Sequence, residues 1–416
     1  YVKPFTEILR ANGYYCANNF KCDYQFNAPF TAWDEVSSTV SFRDAPKDKP
    51  FFYVWNTLLT HESRIWERSN KPLTISPRDV EIPSYFPDIP EVRNDIARKY
   101  SNIEAMDEKV GEIISQLEED GLLENTIIMF WSDHGGNLLR QKRAVGNSGL
   151  NVPLIIRYPN KIDAGKVDDR IVSLMDLGPT VLSLLNIKPP KHYDGKAIAG
   201  QYEESPRKYA FGTADRFDES TDMQRSVLDG RFVYIKNFMP ELPLIYRNKY
   251  RERITMNSKL IQMDSLDMLE GDAKYIFMKT KPHEEFYDLE TDPYEVNNII
   301  DDPKHADRIN DFRVALENWQ NEINDQGFIP EHKIVESFWP KMNQPKTENV
   351  EFKIRDDGLY ELTSITDGAS IGYQKEDQIG TNSWNLYHKP ILLGDKQKIV
   401  ARAIRIGYKA SEITSN

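Results

Sequence analysis

The hydrophobic positions up to about residue 205 alternate between continuous apolar runs and runs with helical spacing. Three continuous runs, rich in β-branched and aromatic residues as buried strands are, lie at 51–59, 126–131 and 152–158. Between the first two runs, apolar residues recur at helical spacing from Ile96 to Leu117, and Gly121 is suited to end that helix. A further helix is expected at 176–185. This alternation predicts an α/β domain with a largely parallel sheet.

The pattern changes twice further along the chain. Residues 206–338 mix short strands, such as 231–238, with a long helical segment around 304–323, which predicts an α+β subdomain. Beyond the prolines of 338–346, short alternating strands predict a small all-β sandwich. We therefore predict three domains, with boundaries 1–205, 206–338 and 339–416.

Composition restricts the classes of partner. The 416 residues carry a formal net charge of −12, which argues against a nucleic-acid surface and against adhesion to anionic membranes. No apolar run is long enough for a membrane span. An acidic chain can still bind an anion where cations gather, and Arg140, Lys142 and Arg143 form such a cluster.

Histidine-bearing polar motifs follow two of the predicted strands. Asp133 and His134 come directly after 126–131, and His61 follows 51–59. A turn or a helix cap is the alternative explanation for Asp133. Function in open α/β sheets collects beyond the carboxyl ends of strands, and the chain has only 7 histidines. Two such strand ends favour a functional site.

Several longer segments resemble, in order and spacing, those of sulfatases of the alkaline-phosphatase-like superfamily. They are "FFYVWNTLLTHES", "IIMFWSDHGG", "GLNVPLIIRYP", "SLMDLGPTVLSLLNIKPP" and "EEFYDLETDPYEVNNI", and "YVKPFTEILRANGYYCANNFKCDYQF" resembles the stretch after the family's nucleophile. The resemblance covers about residues 1–325. It implies a mixed, mostly parallel sheet flanked by helices. It also implies hydrolysis of sulfate esters by a formylglycine and a divalent metal, most often Ca²⁺.

The resemblance assigns roles to individual residues. Asp133 and His134 match a pair of metal ligands, and Lys142 matches a sulfate-binding cation. His61 matches a sulfate contact and candidate general acid, and Lys21 matches the lysine of the family's "GKWHLG" stretch. For Arg140 and Arg143 we favour solvated surface positions.

The chain departs from the family pattern at three places. Asp23 stands where the "GKWHLG" histidine is expected, and His134 stands where many relatives have Asn, although an imidazole suits Ca²⁺ less well than an oxygen. The nucleophile motif C/S-x-P-x-R and the first paired aspartates are expected upstream of residue 1. Cys16 and Cys22 lie outside any such motif, and we interpret them as a buried residue and a packing thiol.

Candidate substrate contacts lie in the segment 211–238. By resemblance they are Asp215, Arg216 and Arg225, with an exposed charged loop as the alternative. The tail resembles the β-module of chitobiase-type enzymes. Its Trp384 and Tyr387 could stack on sugar, but we favour core positions for both.

These features together imply a secreted or periplasmic bacterial sulfatase acting on a sulfated oligo- or polysaccharide, such as ulvan or a glycosaminoglycan. A phosphoesterase or phosphonate monoester hydrolase of the same fold is one alternative. A catalytically inactive glycan-binding relative is another, which the intact set of site residues disfavours.

Overall fold

The computed structural model describes residues 1–394 and 397–416. The helices are α1 Phe5–Ala11, α2 Arg64–Glu67, α3 Pro90–Glu119, α4 Asn147–Leu150, α5 Leu177–Leu184, α6 Thr255–Ser265, α7 Ala273–Ile276, α8 Ala306–Glu322 and α9 Glu331–Phe338. The strands are β1 Tyr15–Asn18, β2 Glu35–Val36, β3 Phe51–Val54, β4 Ile128–Trp131, β5 Leu154–Arg157, β6 Ala210–Phe217, β7 Ser220–Leu228, β8 Phe232–Asn237, β9 Glu284–Asp288, β10 Glu351–Ile354, β11 Tyr360–Thr363, β12 Ser370–Lys375, β13 Asn385–Tyr387, β14 Ile399–Ile404 and β15 Thr414–Ser415.

The residues cluster in space into two compact units, each built from separate stretches of chain. The first unit contains Tyr1–Asn56, Met175–Glu204 and Phe328–Asn416, and the second contains Thr57–Leu174 and Ser205–Gly327. Spatial clustering does not test which segments fold independently. The division at 205 and 338 therefore stays a prediction.

The first unit contains a parallel sheet in the order β2-β1-β3. Helices α1 and α5 supply apolar side chains to its core, in which Leu9, Cys16 and Leu182 are fully buried. Strand β3 ends at Val54, earlier than the apolar run predicted, because the chain turns at Asn56 into a network of side-chain amides.

The C-terminal part of the first unit is the predicted all-β module. Antiparallel pair β10–β11 and the antiparallel sheet β13-β12-β14-β15 share one core, formed by Val350, Leu362, Ile371, Ile399, Ala401 and Ala403. The Trp384 ring packs 4.9 Å from that of Phe30, and the Tyr387 hydroxyl accepts the N–H of Leu362 at 3.0 Å. Both aromatic residues therefore have the packing roles that we favoured.

The second unit is organised around the predicted long helix α3. This helix has 30 residues and ends at Glu119, with Asp120 as its C-cap; Gly121 follows at φ +68°, a conformation in which glycine is favoured. Its apolar face packs with α6 in a core that includes Ile96, Met256 and Leu260.

Strands β4 and β5, both in the second unit, differ from the prediction in direction and burial. They pair antiparallel, with Met129 opposite Ile156. All four residues of β4 are half-buried rather than buried, because within the described chain only β5 pairs with it. The chain is thus an α/β protein with parallel strands in one unit and this antiparallel pair in the other.

An antiparallel sheet, β6-β7-β8-β9, completes the second unit. Helix α8 covers it with Phe312 and Leu316, which pack against Phe232 and Phe286. This confirms the predicted α+β character. Over residues 1–394 and 397–416, no helix combines the length and apolarity needed to cross a membrane.

Candidate functional site

The loop after β4 is held in a tight fold by its glycines. The N–H of Gly135 donates to the Gly149 carbonyl at 2.8 Å, and the N–H of Lys142 donates to the Gly136 carbonyl at 2.7 Å. A Cβ atom on Gly135 would lie 2.0 Å from the Ser148 carbonyl oxygen, and one on Gly136 would lie 2.1 Å from the Gln141 Oε1 atom. Gly135 requires glycine because backbone atoms of the same loop occupy the space of a side chain, whereas at Gly136 the flexible end of Gln141 can move aside.

Asp133 and His134 form the candidate metal pair on this loop. The His134 Nδ1 atom lies 2.7 Å from the Gly135 carbonyl, and because a carbonyl only accepts, Nδ1 carries the proton and Nε2 keeps its lone pair. Nε2 lies 3.7 Å from the Asp133 Oδ1 atom. Two ligands of one ion, each about 2.1 Å from it, lie roughly 3 to 3.5 Å apart.

The observed separation is slightly wider than that range, so the pair, with one nitrogen and one carboxylate donor, would have to move closer together to share an ion, and metal binding stays a prediction. Within residues 1–394 and 397–416, no group of three or more His, Cys, Asp and Glu side chains comes together in an arrangement suited to a metal. Further ligands would have to be water, substrate or residues outside this set.

The loop after β3 carries His61 and is bonded to the loop after β4. The His61 Nδ1 atom accepts the N–H of Ser63 at 3.2 Å, which places the ring proton of the neutral imidazole on Nε2. The Asn137 side chain donates to the Thr60 carbonyl at 3.0 Å. Neighbouring positions of the two loops are thus joined, so the structure brings together the segments that carry His61, Asp133, His134 and Lys142.

Arg140 is a structural cation rather than the solvated side chain that we favoured. Its guanidinium donates to the carbonyls of Tyr294 and Glu295 at 3.0 and 2.8 Å. The same group lies 4.9 Å from the ring centre of Tyr85 and 4.8 Å from that of Tyr275. These contacts hold the Arg140 guanidinium against other parts of the second unit, so the expectation of a solvated surface position for Arg140 was wrong.

Arg143 is likewise held inside the protein, with a side chain only 13% exposed. Its Nη1 atom donates to both carboxylate oxygens of Glu62 at 3.1 and 3.0 Å. Its Nε and Nη2 atoms donate to the Asp218 Oδ2 atom at 3.1 and 2.9 Å. Hydropathy places an arginine outside by default, so no pattern in the sequence indicated this burial.

Glu62 is fully buried and faces a second arginine. The Arg251 Nε atom lies 3.2 Å from the Glu62 Oε1 atom, an ion pair without hydrogen-bond geometry. Burial, followed by the nearby positive charge of Arg143, lowers the pKa of Arg251 to about 10. A further buried cation, Lys99, donates to the Gln141 side chain at 3.1 Å, and burial lowers the pKa of Lys99.

The predicted substrate residues lie on the β6–β7 hairpin of the second unit. Arg225 is fully buried, and its guanidinium is bound by Asp215 at 2.8 Å and by Asp325 at 2.8 and 2.9 Å. Substrate could reach Arg225 only if these pairs opened, so its position corresponds to a structural role. Asp215 is partly exposed beside a β-bulge, and Arg216 is exposed. For all three residues, substrate binding stays a prediction.

Lys21 belongs to the first unit, where its ammonium lies 3.7 Å from the Asp23 carboxylate. The loop that carries it is shaped by three asparagines that the sequence analysis did not single out. Asn18 donates to the Lys21 carbonyl at 2.9 Å, and Asn56 donates to the side-chain oxygens of Asn18 and Asn19 at 2.8 and 3.0 Å. Their position at the carboxyl ends of β1 and β3 is the signal that could have identified them.

Both cysteines are free thiols, as their interpretation as packing residues requires. Cys16 is buried, and burial raises the pKa of its thiol well above the usual range. Cys22 is half-buried, and its sulfur accepts from the Asn18 amide at 3.3 Å.

Comparison with known proteins identifies the family. The profile of the Sulfatase family matches residues 12–187. An ulvan-active sulfatase of Formosa agariphila is 37% identical over 452 residues, covering 99% of this chain and 75% of that protein. Human N-sulphoglucosamine sulphohydrolase is 26% identical over 66% of this chain and 57% of its own length.

A solved structure of a 2-O GAG sulfatase superposes with a TM-score of 0.52 at 16% identity, covering 78% of this chain and 75% of that one, which shows a shared fold. Together with the 37% identity that extends over nearly the whole chain, these findings show that the protein belongs to the sulfatase family of sulfuric ester hydrolases.

Proposed function

We propose that this protein hydrolyses sulfate esters on a carbohydrate, with sulfated ulvan oligosaccharides as its substrates. The observation that carries the proposal is the joining of the loops after β3 and β4. Asn137 bonds to the Thr60 carbonyl, and Arg143 bonds to Glu62, so the segments with His61, Lys142 and the Asp133–His134 pair form one loop cluster. A sulfate monoester is a compact anion, and such a cluster offers a cation, an imidazole and metal ligands to it.

In this proposal His61 acts from its imidazolium form: Nε2 gives its proton to the leaving alcohol, and the ring becomes the neutral imidazole. Ser63 supports that orientation, because its N–H and its Oγ atom lie 3.2 and 3.1 Å from Nδ1, so Nδ1 faces Ser63 in both protonation states and Nε2 is the nitrogen that transfers the proton. Lys142 neutralises charge on the sulfate oxygens. For Lys21, which belongs to the first unit, a sulfate contact stays a prediction.

Asp133 and His134 would hold a divalent ion, which when bound neutralises sulfate oxygens. The nucleophile would be a formylglycine upstream of residue 1. The mixed donor pair suits Mn²⁺ or Zn²⁺ at least as well as Ca²⁺, since Ca²⁺ prefers oxygen donors.

The choice of ulvan rests on the Formosa agariphila relative, whose name states activity on that polysaccharide. The human relative, named for N-sulphoglucosamine, makes glycosaminoglycans the second class to test. A sulfated polysaccharide is too large to enter most cells, so we also propose a secreted or periplasmic location.

The test is a substrate comparison with the full-length protein. Inorganic sulfate released from desalted ulvan oligosaccharides and from heparan oligosaccharides would be measured beside hydrolysis of nitrophenyl sulfate and a nitrophenyl phosphonate monoester. We expect sulfate release, fastest from ulvan fragments. Preference for the phosphonate ester would replace the proposal by the same-fold phosphonate hydrolase, and binding of ulvan without turnover would indicate an inactive glycan-binding relative.

A further inference from the structure

A network of four charged side chains includes the sequence neighbours of two proposed catalytic residues. Two of its members, Glu62 and Arg251, are buried, and Asp218 is exposed at its edge. Glu62 follows His61 in sequence, and Arg143 follows Lys142. These two network members are in contact with each other although 81 residues separate them along the chain. The bond therefore joins the backbone that carries His61 to the backbone that carries Lys142.

The network is electrically balanced. Arg143 binds Glu62 through Nη1 and Asp218 through Nε and Nη2, and Arg251 lies 3.2 Å from the Glu62 carboxylate. Asn248 donates to the outer carboxylate, Asp218, at 2.7 Å. Two guanidinium groups thus face two carboxylates, and removal of one member leaves an uncompensated charge in a site where Glu62 is 0% exposed.

The backbone at Arg143 adds a second indication. Arg143 has φ +79°, in the left-handed region that long side chains rarely adopt. Such a conformation persists where surrounding contacts over-determine it. Here the guanidinium, held at both ends by carboxylates, fixes the conformation of the residue next to Lys142.

We infer that Glu62 and Arg143 are positioning residues that set the placement of His61 and Lys142 for catalysis. Neither needs to touch substrate. A planar guanidinium that bridges two carboxylates, as Arg143 does, fixes both distance and orientation, whereas a lysine bonds as a point charge. The inference rests on the proposed sulfatase function of the loop cluster.

The experiment is a pair of double-mutant cycles in the full-length enzyme, Glu62→Gln with His61→Ala and Arg143→Lys with Lys142→Ala. The readouts are kcat and KM for sulfate release, together with the unfolding temperature. We expect Glu62→Gln to lower kcat roughly 10- to 100-fold with little change in KM, because displacement of a catalytic group such as His61 by about 1 Å lowers the rate by up to that factor. In the His61→Ala background the same change should cost less than about 3-fold, since the group being positioned is gone. The Arg143→Lys cycle should show the same non-additivity and remains measurable if Glu62→Gln does not fold.

Asp222→Asn is the matched control. It breaks another buried ion pair of the second unit, in which the Lys281 side chain is 0% exposed and lies 2.8 Å from the carboxylate. We expect it to lower the unfolding temperature and to leave kcat unchanged. Additive effects in both cycles, or an equal loss of kcat in the control, would overturn the inference while wild-type sulfate release still upholds the proposed function. Absence of sulfate release from the wild-type enzyme would refute the proposed function and this inference with it.

Discussion

Replacing Asp95 by asparagine should change how the stability of the protein depends on pH. Asp95 belongs to α3 and is 8% exposed, yet its carboxylate accepts the N–H of Met256 at 2.7 Å in the first turn of α6. The N-cap residue of α6 is Ile254, which has no acceptor in its side chain. One helix therefore supplies the cap of another.

The magnitude follows from the pKa of this carboxyl group. Burial raises the pKa of Asp95 from 3.8 to about 6, against the opposing effects of the Met256 N–H and of Arg98. Between these two pKa values the folded protein holds a proton that the unfolded chain has released. The free energy of unfolding therefore decreases as pH rises through this window, by at most about 3 kcal/mol for a shift of about two pKa units, and is constant above it.

The Asp95→Asn variant keeps an acceptor for the Met256 N–H but has no proton to release. The free energy of unfolding would be measured by urea denaturation of both proteins at pH values from about 4 to about 7. We expect the variant's value minus that of the wild type to rise by up to about 3 kcal/mol across this range. Other titrating groups cancel in the difference.

Asp88→Asn is a control of opposite sign. A hydrogen bond from Arg93 holds the pKa of the exposed Asp88 carboxyl group below its usual value, so this carboxylate stabilises the fold only where it is ionised. The corresponding difference should fall as pH rises towards about 4 and should be nearly constant from there to about 7, where the Asp95→Asn difference is still rising. If the free energy of unfolding of Asp95→Asn minus that of the wild type does not change with pH, the pKa of Asp95 is not raised in the folded protein.

Three further predictions concern the site. His61→Ala should lower kcat roughly 10²- to 10⁴-fold on a sugar sulfate and much less on nitrophenyl sulfate, because the nitrophenyl leaving group needs no proton. Steady-state kinetics on both substrates would measure the two losses, and equal losses would assign His61 to sulfate binding. Asp133→Ala should weaken binding of added Ca²⁺ or Mn²⁺ at least about tenfold by titration calorimetry, whereas exposed Asp163→Ala should not; unchanged affinity would place the metal elsewhere. Asn56→Ala should lower the free energy of unfolding by about 2 kcal/mol, because it removes two hydrogen bonds of the side-chain amide. Asn12→Ala removes one exposed hydrogen bond and should cost less than half as much; similar losses in both variants would show that the asparagine cluster does not stabilise the fold more than a surface hydrogen bond does.

Local periodicity was sufficient to predict three of the helices, α3, α5 and α8, and the class of each region. The spacing from Ile96 to Leu117 and the glycine at 121 predicted most of α3, and short alternating strands predicted the C-terminal β-module. Strand direction was not predictable, because an apolar run has the same pattern in either direction. The antiparallel pairing of β4 with β5 therefore differs from the expectation.

Only the candidate residues that follow apolar runs could be indicated from the sequence. His61, Asp133 and His134 were indicated in this way, and their functions stay predictions. The Glu62–Arg143 bond joins residues far apart in the chain, and Arg225 lies inside a sheet between two carboxylates. Such burial of charge depends on partners brought together by the tertiary fold, which hydrophobic patterning does not encode.

The proposal that the loop cluster binds and cleaves sulfate esters is tested most directly at Lys142. Sulfate release from ulvan oligosaccharides would be measured for the full-length wild type, Lys142→Ala and Lys142→Arg. Lys142 is proposed to face the sulfate oxygens, and a hydrogen bond to a charged group contributes about 1.5 to 3 kcal/mol. We expect Lys142→Ala to lower kcat/KM roughly 10- to 100-fold. Lys142→Arg should recover part of this loss, because the positive charge remains while the geometry of the side chain changes. Sulfate release by Lys142→Ala within about twofold of the wild type would contradict the proposal.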